Sequence, residues 1–273
     1  AKDRVRHVGD PVALVVAETL LQARDAAENI EIEYEELPHA VDTYAAAQPG
    51  APRVWEHIPN NIAFDWEKGD RAGVEAALES AHKAVKLRIV NNRVVVNSME
   101  ARACLGDYDA ATDRVTLYTS CQSVQGLRSQ LADVIFKVPK EKVRVVSGNV
   151  GGGFGMKLFL HPETALLPWA ARRVKRPVRW ASDRSEGFQS DIQGRDHVSF
   201  AELALDKDAK FLALKVETYA AEGAYLSNYA PFVATGGSDM HVGLYMTPKI
   251  YTRVAGIVTN TVPVDAYRGA GRP

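Results

Sequence analysis

Cysteine is nearly absent. The 273 residues hold only Cys104 and Cys121, with no Cys-x-x-Cys pair, so an iron–sulfur cluster or a structural zinc finds no ligand set within the chain. The seven histidines, His7, His39, His57, His82, His161, His197 and His241, form neither His-x-His nor His-Glu-x-x-His. No protein-ligated metal is expected, and each histidine reads first as an ordinary surface or core residue. No stretch approaches the roughly 18 consecutive apolar residues of a membrane span, and Ala1-Lys2-Asp3-Arg4 does not begin a secretory signal. A soluble, cytoplasmic protein is the expectation. Excess charge of one sign is missing too: 33 basic residues stand against 34 acidic ones, which gives no electrostatic case for nucleic acid or an anionic membrane surface. Internal repeats and low-complexity tracts are also missing. The chain opens on Ala1 rather than Met and stops at Arg272-Pro273 with no terminal cap, which reads as an excerpt of a longer protein.

The length allows one large core or two smaller ones. Val12–Ala17 is an apolar run, Thr19–Asn29 carries leucines and alanines at helical spacing, and Ile30–Glu35 alternates strictly; these read as strand, helix and strand. Glu31, Glu33 and Glu35 fall on the face opposite Ile30, Ile32 and Tyr34, a solvated face rather than a cation site. Prolines, glycine and asparagines between Ala45 and Asn61 break both periodicities, so residues 49–61 are expected to link a first domain, 1–48, to a second, 62–273. In the second, Gly73–Ala84 reads as a helix, and Val85–Val96, Val115–Thr119 and Val143–Ser147 read as strands. Val124, Leu127, Leu131, Val134 and Ile135 share one helical face, with Ser123 available as N-cap. Pro162–Val174 is a further helix, in which Pro168 predicts a kink or break. Strand chemistry returns at Val178–Ala181, Val198–Leu205, Phe211–Tyr219 and Val254–Asn260.

Four glycines surround one aromatic ring in Gly151-Gly152-Gly153-Phe154-Gly155. The spacing fits neither nucleotide loop: from Gly151 and Gly153 the sixth position is Met156, which breaks Gly-x-Gly-x-x-Gly, and Lys157 is followed by Leu158 rather than Ser or Thr. Two readings remain on spacing alone, a tight structural turn or a concave row of backbone N–H donors for anionic or oxo groups.

Three segments taken together narrow the choice: Thr119-Ser120-Cys121-Gln122 at a strand end, the glycine run through Lys157, and Ala266-Tyr267-Arg268-Gly269-Ala270-Gly271-Arg272. They resemble the molybdenum hydroxylases, the family of xanthine oxidase, aldehyde oxidase and aerobic carbon monoxide dehydrogenase, in the large subunit that binds molybdopterin. Met99-Glu100-Ala101-Arg102 is a weaker fourth match, with alanine where the family often has proline. Val8-Gly9-Asp10-Pro11-Val12 is similar to the end of the family's α/β hammerhead domain. The resemblance implies an α+β chain: the C-terminal part of a hammerhead domain, then the N-terminal part of a mixed α/β cofactor-binding domain.

It also implies chemistry. Molybdenum is held by the dithiolene of molybdopterin or of molybdopterin cytosine dinucleotide, so the protein supplies no metal ligand. Gln122 is then expected to donate its side-chain amide to an oxo ligand, unless it merely caps the following helix. Gly152, Gly153 and Gly155 would bring backbone against the cofactor, Phe154 would cover one side of the metal, and Arg268 would face the substrate cavity, unless it is a structural ion pair. Gly269 stands where carbon monoxide dehydrogenases carry a copper-binding cysteine. The implied reaction is hydroxylation of an aldehyde or N-heterocycle with oxygen from water. Electrons would pass to iron–sulfur and FAD partner subunits, in a dimer of heteromers. The general base would be a glutamate beyond this chain, which alone would be inactive; Glu163 is not nominated in its place. Three other readings stand beside this one: a cofactor-free scaffold or split subunit, a carbon monoxide dehydrogenase large subunit, and a phosphate-binding module built on the glycine loop.

Overall fold

The computed structural model describes residues 3–272. Ala1, Lys2 and Pro273, on which the ends of the two expected domains fall, lie outside the described residues. The elements run α1 (Leu20–Glu28), α2 (Thr43–Ala46), β1 (Ile62–Gly69), α3 (Arg71–Ser80), β2 (Lys83–Asn91), β3 (Ala103–Asp109), β4 (Arg114–Thr119) and α4 (Val124–Ser129). They continue with β5 (Val143–Val146), α5 (Pro162–Val174), β6 (Val178–Ala181), α6 (Arg184–Ser190), β7 (His197–Leu205), β8 (Phe211–Gly223), α7 (Ala230–Gly236) and β9 (Lys249–Val258). The fold is mixed α and β, as the sequence implies. Two compact units form. One holds the described residues up to Leu37 together with Val96–Asp191, the other Pro38–Val95 together with the described residues from Ile192 onward.

In the first unit α1 begins on a capping box in which Thr19 and Gln22 satisfy each other's backbone N–H. Its flanks depart from expectation. Val12–Ala17 and Ile30–Glu35 join no ladder among the described residues, and Val12, Leu14, Val16, Ile30, Ile32 and Tyr34 are exposed. An apolar run or strict alternation supplies an apolar face, but a strand exists only by pairing. The sheet of this unit has the order β5-β4-β3-β6, with β4 and β5 parallel and the other pairs antiparallel. One buried cluster joins Leu117, Val143 and Val145 of the sheet to Leu127, Leu131, Leu167, Ala170 and Ala171 of the helices. Cys104 is buried in it, whereas Cys121 is only partly buried.

Two helices differ from their sequence reading. Ser123 does cap α4, its Oγ accepting from the Gly126 N–H at 3.2 Å, but the helix widens into a π-helix over Gln130–Phe136. The wider i→i+5 turn shifts the register, so Leu127 and Leu131 stay buried while Val134 and Ile135 turn outward. Helix α5 runs through Pro168 without the expected break. The proline is buried on the face that meets β3, where Gly106 allows close approach: a Cβ there would sit 2.4 Å from the Leu167 carbonyl carbon and the Pro168 nitrogen. Burial of Leu167, Pro168, Ala170 and Ala171 offsets the roughly 3 kcal/mol that a mid-helix proline costs.

In the second unit the sheet order is β1-β9-β8-β7-β2, with only the β8–β9 pair parallel. Helix α3 sets Val74 against Ala204, Ala213 and Tyr251. The stretch expected as a linker is folded: Ala46, Ala47 and Val54 pack on Ala255, Ile257 and Val258 of β9. Asn61 locks it, donating through Nδ2 to the carbonyls of Ala46 and Pro52 at 2.9 Å and accepting through Oδ1 from the Val54 N–H at 2.9 Å. Fully buried polar contacts of this kind hold a loop that has no ladder of its own.

Candidate functional site

Parallel strands β4 and β5 end side by side, and the loops beyond their carboxyl ends therefore meet; in open α/β sheets this is where ligands bind. The loop after β4 carries Gln122 and the loop after β5 carries the glycine run. Gln122 donates its backbone N–H to the Lys157 carbonyl at 3.0 Å, and its side-chain Oε1 accepts from the Gly155 N–H at 2.9 Å. A Cβ on Gly153 would lie 2.5 Å from that same Oε1, so a larger residue there would push the glutamine side chain out of this position. Because Ser123 is the helix cap, the alternative role of Gln122 as a cap falls away. With Oε1 occupied, Nε2 points no hydrogen bond at any described residue and is a free donor.

The loop backbone is left-handed at Gly152 (φ 96°), Phe154 (φ 51°) and Gly155 (φ 106°). For phenylalanine that conformation is uncommon, and it lifts the ring to 47% exposure. The N–H groups of Gly152, Gly153 and Phe154 make no hydrogen bond among the described residues, although Gly153 is buried. Buried backbone donors are nearly always paired. Three successive free N–H groups are a ready donor surface for an anionic or oxo-bearing ligand.

Charged residues that the sequence reading passed over brace this loop. The Lys157 side chain, with Lys157 only 2% exposed, donates from Nζ to the Glu100 carbonyl and to Glu100 Oε2, both at 2.8 Å. The same Oε2 accepts from the Gly151 N–H at 2.8 Å, and the Glu100 N–H returns to the Gly151 carbonyl at 3.0 Å. The Lys157 ammonium, with help from the Gly151 N–H, holds the Glu100 carboxyl below the usual range. Farther along, Arg102 is buried between Asp191 Oδ1 at 2.6 Å and Glu163 Oε2 at 2.7 Å, with its guanidinium over the Trp180 ring. Burial, then the nearby Arg102 charge, pushes His161 down to about 3. It is a neutral imidazole whose Nε2 donates to the Met156 carbonyl at 2.9 Å. Among the described residues no group of three or more His, Cys, Asp or Glu is placed to hold a metal ion.

Arg268 belongs to the other unit. There the backbone is left-handed at Arg268, Gly269, Ala270 and Gly271 in succession, closed by Ala270 N–H to the Tyr267 carbonyl at 3.3 Å and Arg272 N–H to the Gly269 carbonyl at 3.2 Å. Tyr267 is seated against Gly194, whose added Cβ would meet the Tyr267 Cβ at 2.4 Å. Arg268 and Gly269 are exposed. Arg268 has neither an ion pair nor a hydrogen bond among the described residues, which removes the structural ion pair as its role. Upstream, Asp265 accepts from the Ala266 and Tyr229 N–H groups at 2.6 and 3.0 Å. Glu222, 1% exposed, has both carboxylate oxygens unpaired; burial, and then the Asp265 charge, pushes it up to about 9. The structure thus gathers Gln122, Gly152, Gly153, Phe154 and Gly155 into one surface and sets Arg268 on an unpaired loop of the second unit.

Comparison with known proteins identifies the class. Residues 54–273 match the family model of the molybdopterin cofactor-binding domain, and residues 1–38 match that of the aldehyde oxidase and xanthine dehydrogenase a/b hammerhead domain. The chain belongs to the molybdenum hydroxylase family, in its molybdopterin-binding large subunit. It is similar to the carbon monoxide dehydrogenase large chain of Hydrogenophaga pseudoflava, at 31% identity over 98% of this chain and 35% of that protein. With the 6-hydroxypseudooxynicotine dehydrogenase complex subunit gamma of Paenarthrobacter nicotinovorans it shares 33% identity over 100% of this chain and 34% of that protein. Among solved structures, quinoline 2-oxidoreductase from Pseudomonas putida 86 superposes with a TM-score of 0.91 at 32% identity, covering 98% of this chain and 34% of that one. The chain spans about a third of the length of these relatives.

Proposed function

We propose that Gln122 and the 152–155 loop form one wall of a molybdopterin site, and that the whole protein hydroxylates a small electron-poor substrate. The observation that carries this reading is the row of unpaired N–H groups from Gly152 to Phe154 beside the free Gln122 amide, donors with no acceptor among the described residues. Their chemistry fits the group: neutral donors polarise oxo and phosphate oxygens without displacing a metal. When bound, molybdopterin or its cytosine dinucleotide with molybdenum supplies the two-electron oxidation and delivers oxygen derived from water.

The residues of this chain act around it. Gln122 Nε2 donates to an oxygen of the cofactor, the loop backbone holds it, and the exposed Phe154 ring excludes water and shapes the pocket. Arg268 offers an unpaired guanidinium to orient a carbonyl or ring nitrogen of the substrate. Glu163 is engaged by Arg102, and the general base is assigned to no residue here. Gly269 supplies no ligand for copper, which favours an aldehyde or N-heterocycle over carbon monoxide, and the name quinoline 2-oxidoreductase is that of an N-heterocycle enzyme. Iron–sulfur and FAD subunits take the electrons, and the complex works in the cytoplasm as a dimer of heteromers. No helix of the described residues is long and apolar enough to cross a membrane.

The test is turnover of the intact complex with aldehydes and N-heterocycles. Gln122→Ala and Phe154→Ala are each expected to lower kcat by about 10²-fold, the range for loss of one positioned donor or of water exclusion. Undiminished turnover in both variants contradicts the assignment.

A further inference from the structure

We propose that Glu100 and Lys157 are a positioning pair that keeps the donor row of the glycine loop both in place and open to a negatively charged ligand. The proposal rests on the reading of that loop as a molybdopterin wall. The row is anchored at two ends. At Gly151 the anchor is Glu100, through two hydrogen bonds of 2.8 and 3.0 Å; at Gly155 it is Gln122 Oε1, at 2.9 Å. Lys157 takes part in both. Its ammonium holds Glu100 at 2.8 Å, and its carbonyl receives the Gln122 backbone N–H at 3.0 Å. These contacts join residues far apart in the chain: Glu100 and Lys157 are 57 positions apart, Gln122 and Gly155 33.

Charge explains why the anchor is a pair rather than a carboxylate alone. A Glu100 carboxylate beside the Gly151 N–H stands next to donors that must accept anionic oxygens, and unpaired it would repel them. The buried Lys157 ammonium, 2.8 Å away, offsets that charge at the same carboxylate oxygen that faces the loop, although the Glu100 side chain itself is partly open to solvent. The pair as a whole is neutral, so the partial positive charge of the free N–H groups is left to the ligand.

Two roles that look alike in the structure separate by experiment. If Lys157 were only a packing element, a second substitution at Glu100 could only add damage. If it compensates charge, removing the carboxylate as well restores binding. In the whole complex, molybdenum per large subunit is measured by mass spectrometry for wild type, Lys157→Met, Glu100→Gln and the double variant, at pH 7 and pH 5. Lys157→Met is expected to lose about tenfold in molybdenum retention, the equivalent of one charge-assisted hydrogen bond. The double variant is expected to recover most of the wild-type content at both pH values.

A double variant no better than Lys157→Met overturns the proposal. If the single variant does not accumulate, wild type against the double variant decides: near-equal molybdenum supports charge compensation, and a tenfold deficit overturns it. Molybdenum missing from the wild-type complex overturns the reading of the loop itself, and is distinguished from failure of the pair because every variant then behaves alike.

Discussion

Gly153 packs under the Gln122 side chain, whose Oε1, Cδ and Cγ would lie 2.5, 2.7 and 2.9 Å from an added Cβ, and Gln122 in turn is oriented by the Gly155 N–H. At the scale of single residues the site is therefore a set of mutual constraints, in which each side chain is aimed by spending one of its two polar ends on the loop. Glu222 shows the opposite situation, a buried carboxyl with nothing spent. Its value rises from 4.5 to about 9, so across that window the folded chain carries a proton that the unfolded chain has released. Stability must fall as pH rises through it, by about 1.4 kcal/mol per pH unit. Glu222→Gln cannot ionise and is expected to flatten this dependence, raising the urea midpoint at pH 8 more than at pH 5. Equal shifts at the two pH values would mean that Glu222 is ionised in the folded protein. The sequence exposed Gln122, Phe154 and Arg268 because they lie in contiguous motifs. It did not expose the Glu100–Lys157 contact, whose partners are separated by 57 positions, nor Glu222, whose isolation is a property of packing.

At the scale of elements, periodicity revealed those whose residues keep a regular apolar spacing and missed or misread those whose surroundings differ from the pattern. Strands β4, β5, β7, β8 and β9 and helices α3 and α5 were legible from apolar spacing. Strand β1 was not, because Asp65, Glu67 and Lys68 interrupt it and its outer residues face solvent. Strand β3 was not, because Gly106 and Asp107 weaken its β signal; Gly106 is there to let α5 approach rather than to favour a strand. The converse error, two expected strands flanking α1, came from an apolar run and an alternating run that pair with no strand among the described residues. The contact at Gly106 gives a prediction: Gly106→Ala forces Cβ to 2.4 Å from the rigid backbone of Leu167 and Pro168. Overpacking of this kind costs about 1–3 kcal/mol, read as a lowered urea midpoint. A midpoint equal to wild type would show that α5 is free to move away from β3.

At the scale of the whole molecule, the balance of charge and the scarcity of cysteine are what a cofactor held by its own chelating group permits. No cluster of metal ligands among the described residues is needed if the metal arrives already chelated. The sequence conveyed the family through three short motifs. The structure adds how two of them, 33 positions apart at Gln122 and Gly155, become neighbours through the parallel pairing of β4 with β5. The central claim is that the free N–H groups of Gly152, Gly153 and Phe154 face the cofactor. Hydrogen–deuterium exchange of the peptide spanning these residues, compared between molybdenum-loaded and cofactor-depleted forms of the intact protein, tests it most directly. The account predicts that these amides exchange at least about tenfold more slowly in the loaded form, as expected for donors that gain an acceptor, while the amides of β7 and β8 do not change. Identical exchange of the loop in the two forms would contradict it.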